Sequence, residues 1–229
     1  MALILNIETS TEVCSVTIAN NGELLHKKET LEGLSHSELL TVFIEDLFVE
    51  NNLKLSELDA VAVSKGPGSY TGLRIGVSVA KGLCYGLEIP LIAVNSLETM
   101  GTHAAINSTE NMLFCPMIDA RRMEVYTALY NANGEEIKPV SAEIIEDDFL
   151  AEYLNNNKIL FFGNGAEKCK TKITHRNAIF NGPQKTSAQF MQKLTQEKYN
   201  KKEFEDVAYF EPFYLKNFVA TIPKNKLLK

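Results

Sequence analysis

Apolar positions along the chain switch between a period of two and a period near four, and the switches mark out its elements. Ala2 to Ile7 is an apolar run that predicts a strand. Cys14 to Ala19 alternates as a second strand, and Asn20-Asn21-Gly22 predicts a hairpin turn into a third, Glu23 to Thr30. Ser35 followed by Glu38, flanked by Leu34 and Leu39, has the pattern of a capping box with a hydrophobic staple and predicts a helix from about His36. That helix carries Leu39, Leu40, Val42, Phe43, Ile44, Leu47, Phe48 and Val49, more than a single stripe, which predicts a second neighbour besides its own sheet. Asp59 to Ser64 reads as a buried strand leading into a glycine stretch and a helix. A strand from Leu91 to Val94 follows, then a helix with Ser96 as the expected N-cap.

The order then repeats. Met112 to Ile118 predicts a strand, and alternation through Tyr130 reaches the turn Asn131-Ala132-Asn133-Gly134, with a returning strand to about Ile145. A helix near Asp148 to Asn155 and a strand from Lys158 to Phe162 follow, joined to the next element by Gly163-Asn164-Gly165, a plain βα connection. Ser187 is expected to cap a last helix with Phe190, Met191 and Leu194 inward, and Phe210 to Lys216 reads as an extended segment packing back onto the body. The expected division is two similar α/β halves, 1–104 and 105–229.

The stretch Lys65 to Gly76 stands out between its strand and its helix. Gly66 and Gly68 around Pro67 free the backbone, so Gly66, Gly68, Ser69, Thr71 and Gly72 form a candidate phosphate or nucleotide loop at a helix start. An ordinary tight βα turn is the competing reading, because the spacing matches neither a P-loop nor a dinucleotide fingerprint. Gly72, Gly76 and Ala80 recur every four residues. Glycine inside a helix costs about 1 kcal/mol against alanine, so this bare face implies close approach, by a partner helix or by the chain's own sheet.

Composition narrows the function. With 229 residues, 45% hydrophobic, the chain can bury a sizeable core, and a net charge of −6 excludes a global basic field. Lys216, Lys224, Lys226 and Lys229 follow Glu211 with no acid among them, which reads as a solvated tail. No apolar run approaches a membrane span and no basic region leads a signal core, so a cytoplasmic protein is expected. Cys14, Cys84, Cys115 and Cys169 are scattered, which predicts reduced buried thiols. His36 lacks partners at ligand spacing and reads as an exposed first-turn residue.

Several segments together carry a family resemblance: Ile7-Glu8-Thr9-Ser10-Thr11, His36-Ser37-Glu38-Leu39-Leu40, Gly66 to Gly76, Ala80-Lys81-Gly82-Leu83, Asp119-Ala120-Arg121-Arg122-Met123-Glu124-Val125-Tyr126 and Pro212-Phe213-Tyr214-Leu215. In order and spacing they resemble the bacterial TsaB (YeaZ) family. The opening strands likewise resemble the actin-like/ribonuclease-H-like (ASKHA) ATPase fold, in which an Asp-x-Gly-Thr turn touches phosphate. Here Glu8 replaces the Asp and Ser10 stands at the glycine. The resemblance implies a duplicated fold of this type, with mixed sheets flanked by helices in two subdomains. It also implies a role in making threonylcarbamoyladenosine, beside the anticodon of tRNAs reading codons that start with A. There the related TsaD transfers the threonylcarbamoyl group, TsaB is its noncatalytic partner, and TsaE, a small ATPase, joins them.

TsaD carries a His-x-x-x-His metal motif where this chain has Ser96 and Met100. A hydroxyl and a thioether do not replace imidazoles, so no metal and no catalytic residue is expected here. The expected partner interface is Leu39, Leu40, Phe43, Leu47, Gly72, Arg74, Gly76 and Ala80, with Arg74 free to pair with a carboxylate or phosphate, or to be a plain surface arginine. Expected partners are TsaD and TsaE, a second copy when alone, and tRNA through the complex. The chain is expected to have no cofactor of its own, with ATP or ADP placed at the partner joint. An actin-like ATPase or kinase is the alternative, and a metalloprotease a more remote one.

Overall fold

The structure, a computed structural model, describes residues 2–30 and 36–216. In the first half, β1 (Leu3–Glu8), β2 (Cys14–Asn20) and β3 (Glu23–Thr30) form an antiparallel meander. Parallel strands β4 (Ala60–Gly66) and β5 (Leu91–Asn95) extend it, giving the order β3-β2-β1-β4-β5. β1 and β4 are almost continuously apolar and buried, as strands covered on both faces must be, whereas β3 is polar and lies at the edge. In the second half β6 (Leu113–Asp119), β7 (Glu124–Tyr130), β8 (Glu136–Ile144), β9 (Ile159–Phe162) and β10 (Ala178–Ile179) lie in the order β10-β9-β6-β7-β8. Their relative directions match the first half, with β1 answering to β6 and β5 to β10. The chain therefore has the duplicated actin-like α/β fold that its sequence implied.

Helices α1 (His36–Glu50) and α2 (Tyr70–Leu87) cover one face of the first sheet, with Leu40, Ile44 and Leu47 of α1 and Val77, Ala80 and Cys84 of α2 in a common core with Ile7, Val16 and Val63. The last helix of each half crosses over. α3 (Ser96–Ile106) puts Leu97, Met100 and Ala104 against Phe114, Ile118 and Tyr130 of the second sheet. After the one-turn α4 (Ala151–Leu154), the turn at Ala188 and α5 (Gln192–Lys201) return to cover Ala2, Ile4, Ala62 and Ile92 of the first sheet. Each sequence half thus lends a helix to the other half's sheet.

Several local expectations change. Asn95 is the N-cap of α3, its Oδ1 accepting from the amides of Leu97 and Glu98 at 2.9 and 3.2 Å, and Ser96 is the first helical residue. Ser187 caps only the 3-10 turn Ala188–Phe190, and α5 starts after it. The helix expected over Asp148 to Asn155 shrinks to the single turn of α4. The extended segment does pack back: the Phe213 amide donates to the Lys65 carbonyl at 2.7 Å, and Lys81 Nζ donates to the carbonyls of Ala208 and Phe210 at 3.2 and 3.0 Å. All four cysteines are free and buried, and burial pushes the Cys14 thiol up to about 11. The expectations on Leu34, Ser35, Lys224, Lys226 and Lys229 lie outside the described residues.

The β1–β2 turn is held from beneath by its own acid. Glu8 is 1% exposed, with Oε1 accepting the Ser10 amide at 2.6 Å and the Ser64 hydroxyl at 3.0 Å, while Oε2 has no partner among the described residues. Burial pushes this carboxyl above the ordinary carboxylate range, against the opposing pull of hydrogen bonds from Ser10 and Ser64 and of His36. The folded protein then keeps a proton that the unfolded chain has lost. Stability from Glu8 is full below its unfolded pKa and drains away as pH rises towards the raised folded one.

α2 meets the same turn from above. A Cβ at Gly72 would overlap the Thr9 carbonyl oxygen, and one at Gly76 the Thr9 hydroxyl, which donates to the Gly72 carbonyl at 2.8 Å. Gly82, one and a half turns further along, has no atom within 4 Å of where its Cβ would stand. Gly72→Val should therefore lose about 2–4 kcal/mol in urea denaturation. By contrast Gly82→Ala should gain about 0.4–1 kcal/mol through a less flexible unfolded chain. Glu8→Gln keeps the Oε1 acceptor without the ionisation, so denaturation midpoints at pH 5 and pH 8 should show its advantage over the natural chain growing with pH.

Candidate functional site

The glycine loop sits between β4 and α2, directly over the β1–β2 turn. The Ser69 amide donates to the Ser10 carbonyl at 2.6 Å, and the Gly72 amide donates to Ser69 Oγ at 3.2 Å. A Cβ at Gly68 would overlap the Ser10 carbonyl oxygen, and one at Gly66, where φ is +104°, would meet Leu73 and the Phe213 carbonyl. Two of the amides expected to face an anion are therefore spent inside the chain, and the space between turn and loop is filled by their mutual contact. The contacts of Gly66, Gly68, Ser69 and Gly72, the candidate phosphate loop, are those of the ordinary tight βα turn that competed with that reading, and Thr71 is exposed beside them.

The second half repeats the device at a place the sequence left as a plain connection. Gly163 and Gly165 press against the Met117 carbonyl and the Asp119 amide, and Asn164 Oδ1 accepts the Asp119 amide at 3.0 Å. Asn164 Nδ2 then donates to Glu12 at 2.8 Å, tying the two strand turns together across the seam.

The expected partner surface divides in two. Gly72, Gly76, Ala80, Leu40 and Leu47 are all buried within the chain, because the bare stripe of α2 faces Thr9 and the inner stripe of α1 faces the sheet. These five are corrected to core positions. Leu39 and Phe43 are half-buried, and Arg74 is exposed, its Nε donating to the Tyr214 hydroxyl at 3.2 Å and its guanidinium 4.3 Å from the Tyr70 ring.

What α1 and α2 show to solvent is a different set. Val42, Val49 and Tyr85 are 44, 69 and 83% exposed, and Val49 also lines a largely apolar groove of about 420 Å³ with Ile44, Phe48, Leu53, Val79 and Leu83. Ser78, Gly82 and Gly86 form an exposed small-residue stripe on α2, turned well away from Gly72 and Gly76. Sequence reasoning missed it although the spacing of four was present, because the first glycine stripe had already been given to the partner.

Between the halves lies a cleft of about 500 Å³ lined by Lys65, Asn95, Glu98, Tyr130, Glu136 and Phe213. Ser96 and Met100 are buried next to it, Met100 in the core with Phe114 and Tyr130. His103 is stacked on Phe190 with ring centroids 4.0 Å apart, and burial lowers its pKa. His36 is buried, contrary to expectation, with Nε2 3.0 Å from the Val13 carbonyl, since the start of α1 folds under β2. Among the described residues no three His, Cys, Asp or Glu side chains gather in a way that could hold a metal ion, and no helix is long and apolar enough to cross a membrane.

Comparison with known proteins agrees with this architecture. A family model described as TsaD, tRNA N6-adenosine threonylcarbamoyltransferase, matches residues 31–224. The tRNA threonylcarbamoyladenosine biosynthesis protein TsaB of Bacillus subtilis is 34% identical over 175 residues, 74% of this chain and 74% of that one. TsaB of Haemophilus influenzae is 29% identical over 229 residues, 95% of this chain and 94% of that one. The solved structure of YeaZ from Pseudomonas aeruginosa is 26% identical and superposes with a TM-score of 0.75 over 94% of this chain and 100% of its own. Fold, motif order and these likenesses meet in one conclusion: the chain belongs to the TsaB (YeaZ) family of tRNA threonylcarbamoyladenosine biosynthesis proteins.

Proposed function

We propose that this chain is a noncatalytic partner and activator of a TsaD transferase, docking through the outer face of α1 and α2 and working with TsaE. The observation that carries the proposal is that face. A largely apolar groove between α1 and α2 that includes Val49, together with the exposed Val42 and Tyr85 and the stripe of Ser78, Gly82 and Gly86 on the same two helices, offers side chains to bury and room for a helix to come close. Exposed patches of this kind mark protein contacts more than they mark solvent. The same face would pair two copies of the chain about a twofold axis when TsaD is absent.

The interior supports a role without chemistry of its own. At Ser96 and Met100 a hydroxyl and a thioether stand where TsaD has its histidine pair, and neither donor suits the metal that imidazoles hold. What speaks against an ATPase or kinase is the contact between Ser69 and Ser10, which occupies the place where a turn and a loop would share a phosphate. ATP or ADP, where it enters, would sit at the joint with the partner. Activation on this proposal is positional: the chain fixes the shape in which its sibling's cleft closes around substrate.

Sedimentation of the purified chain with TsaD from the same source tests the proposal, and absence of a complex at micromolar concentration would overturn it. Val49 is 69% exposed, so Val49→Asp should leave the unfolding free energy within about 0.5 kcal/mol. The same change should weaken the TsaD complex at least about tenfold, because a carboxylate would be buried in an apolar contact.

A further inference from the structure

The cleft between the halves contains a polar group that the chain itself does not use. Tyr130, at the end of β7, is 1% exposed and lines the cleft, and its hydroxyl has no hydrogen-bond partner among the described residues. Phenylalanine would fill the same space and leave no buried hydroxyl unpaired. The ring is also seated with care. A Cβ at Gly101, inside α3, would overlap it, so the helix carries a glycine there although glycine in a helix interior is unfavourable. A tyrosine held this firmly, for a bond the chain does not make, points to a bond made with something else.

Two carboxylates reach that hydroxyl from different elements. Glu136 is the direct partner of Tyr130 across the β7–β8 pair, so the two side chains rise from the same face of the sheet. Glu98 stands three residues before Gly101 on α3, the spacing that puts both on one side of the helix. Burial raises the pKa of the Tyr130 hydroxyl and the charges of Glu98 and Glu136 raise it further, which keeps it protonated and able to donate at neutral pH. Neither carboxylate has a hydrogen-bond or ion-pair partner among the described residues, and the ammonium of Lys65, which lines the cleft from the first half, has none either. Phe213 completes that wall, its amide bonded to the Lys65 carbonyl and its ring partly exposed. The cleft of about 500 Å³ therefore presents unpaired negative charge from the second sheet and α3, unpaired positive charge from the end of β4, and a phenolic donor.

We infer that this cleft binds a free amino acid, with its ammonium group between Glu98 and Glu136, its carboxylate towards Lys65, and the Tyr130 hydroxyl donating to a carboxylate oxygen. An ammonium group has donors enough for both glutamates, and bonds between ionised partners are the strong ones. A nucleotide would bring its phosphates against two carboxylates, and a bare metal ion would find too few ligands beside a lysine, so the same charges turn both away. The volume lies within the range of about 300–1,000 Å³ usual for small-molecule sites. Lys65 belongs to the first half and Glu136 to the second, so the ligand would brace the halves against each other. The site lies apart from the outer face of α1 and α2, and the inference does not rest on the TsaD proposal.

The test records amide NMR spectra of the full-length chain with each of the common amino acids in turn at millimolar concentration. At least one should shift the amides of Lys65, Glu98 and Glu136 in a saturable way, and its Nα-acetyl derivative, which has no α-ammonium group, should not. Glu136 is exposed, so Glu136→Gln should keep the fold and weaken that binding about tenfold. Tyr130→Phe should weaken it to a similar extent while its thermal midpoint rises, because the unpaired hydroxyl is gone. Unchanged cleft amides with every amino acid overturn the inference, and so does equal binding of the acetylated form. A more stable Tyr130→Phe variant that binds as tightly as the natural chain would leave the hydroxyl without a ligand and overturn it as well.

Discussion

The rest of the first half is organised around a close approach in which the glycine loop and the first turns of α2 are pressed onto the turn between β1 and β2. Gly68, Gly72 and Gly76 leave no room for a Cβ against Ser10 and Thr9, and the Ser69 amide and the Thr9 hydroxyl bridge the contact. Such a contact needs glycine on one side and a tightly held turn on the other. Glu8 provides the hold from below, at the expense of a buried carboxyl with one oxygen unpaired. Once α2 is seated in this way its opposite side faces outwards, and Ser78, Gly82 and Gly86 are exposed there.

The same economy recurs in the second sheet, where the loop after β9 presses on the turn after β6. There the turn is closed by Asp119 and populated by arginines, so the two turns have diverged in chemistry while sharing a geometry. In one half the turn is sealed from solvent, and in the other it is charged and open.

Most strand positions and the helices α1 to α3 were legible in the sequence because they depend on local pattern: alternation in β2, a nearly unbroken apolar run in β4, and turn residues such as Asn20-Asn21-Gly22. The direction in which a helical stripe points was not. Gly72, Gly76 and Ala80 announce a close contact, but spacing cannot say whether the neighbour is inside or outside the chain, and the inside contact with Thr9 won. Leu40 and Leu47 failed for the same reason, since an apolar helix of two faces does not declare which face is the core. Lys168 and Lys216 lie 46 to 95 residues from the two arginines, and only the fold brings them to the same turn. The N-cap moved from Ser96 to Asn95 because the longer amide reaches two helical N–H groups at once.

The exchange of the last helix of each half has a consequence for how the two halves can exist. Neither sheet owns the helix that covers its far side: α3 lies on the second and α5 on the first. Separated at the sequence midpoint, each piece would carry a lid fitted to its sibling and an apolar sheet face left bare. The two halves therefore depend on each other for a closed core, and neither sheet is covered on both faces without the other half's helix.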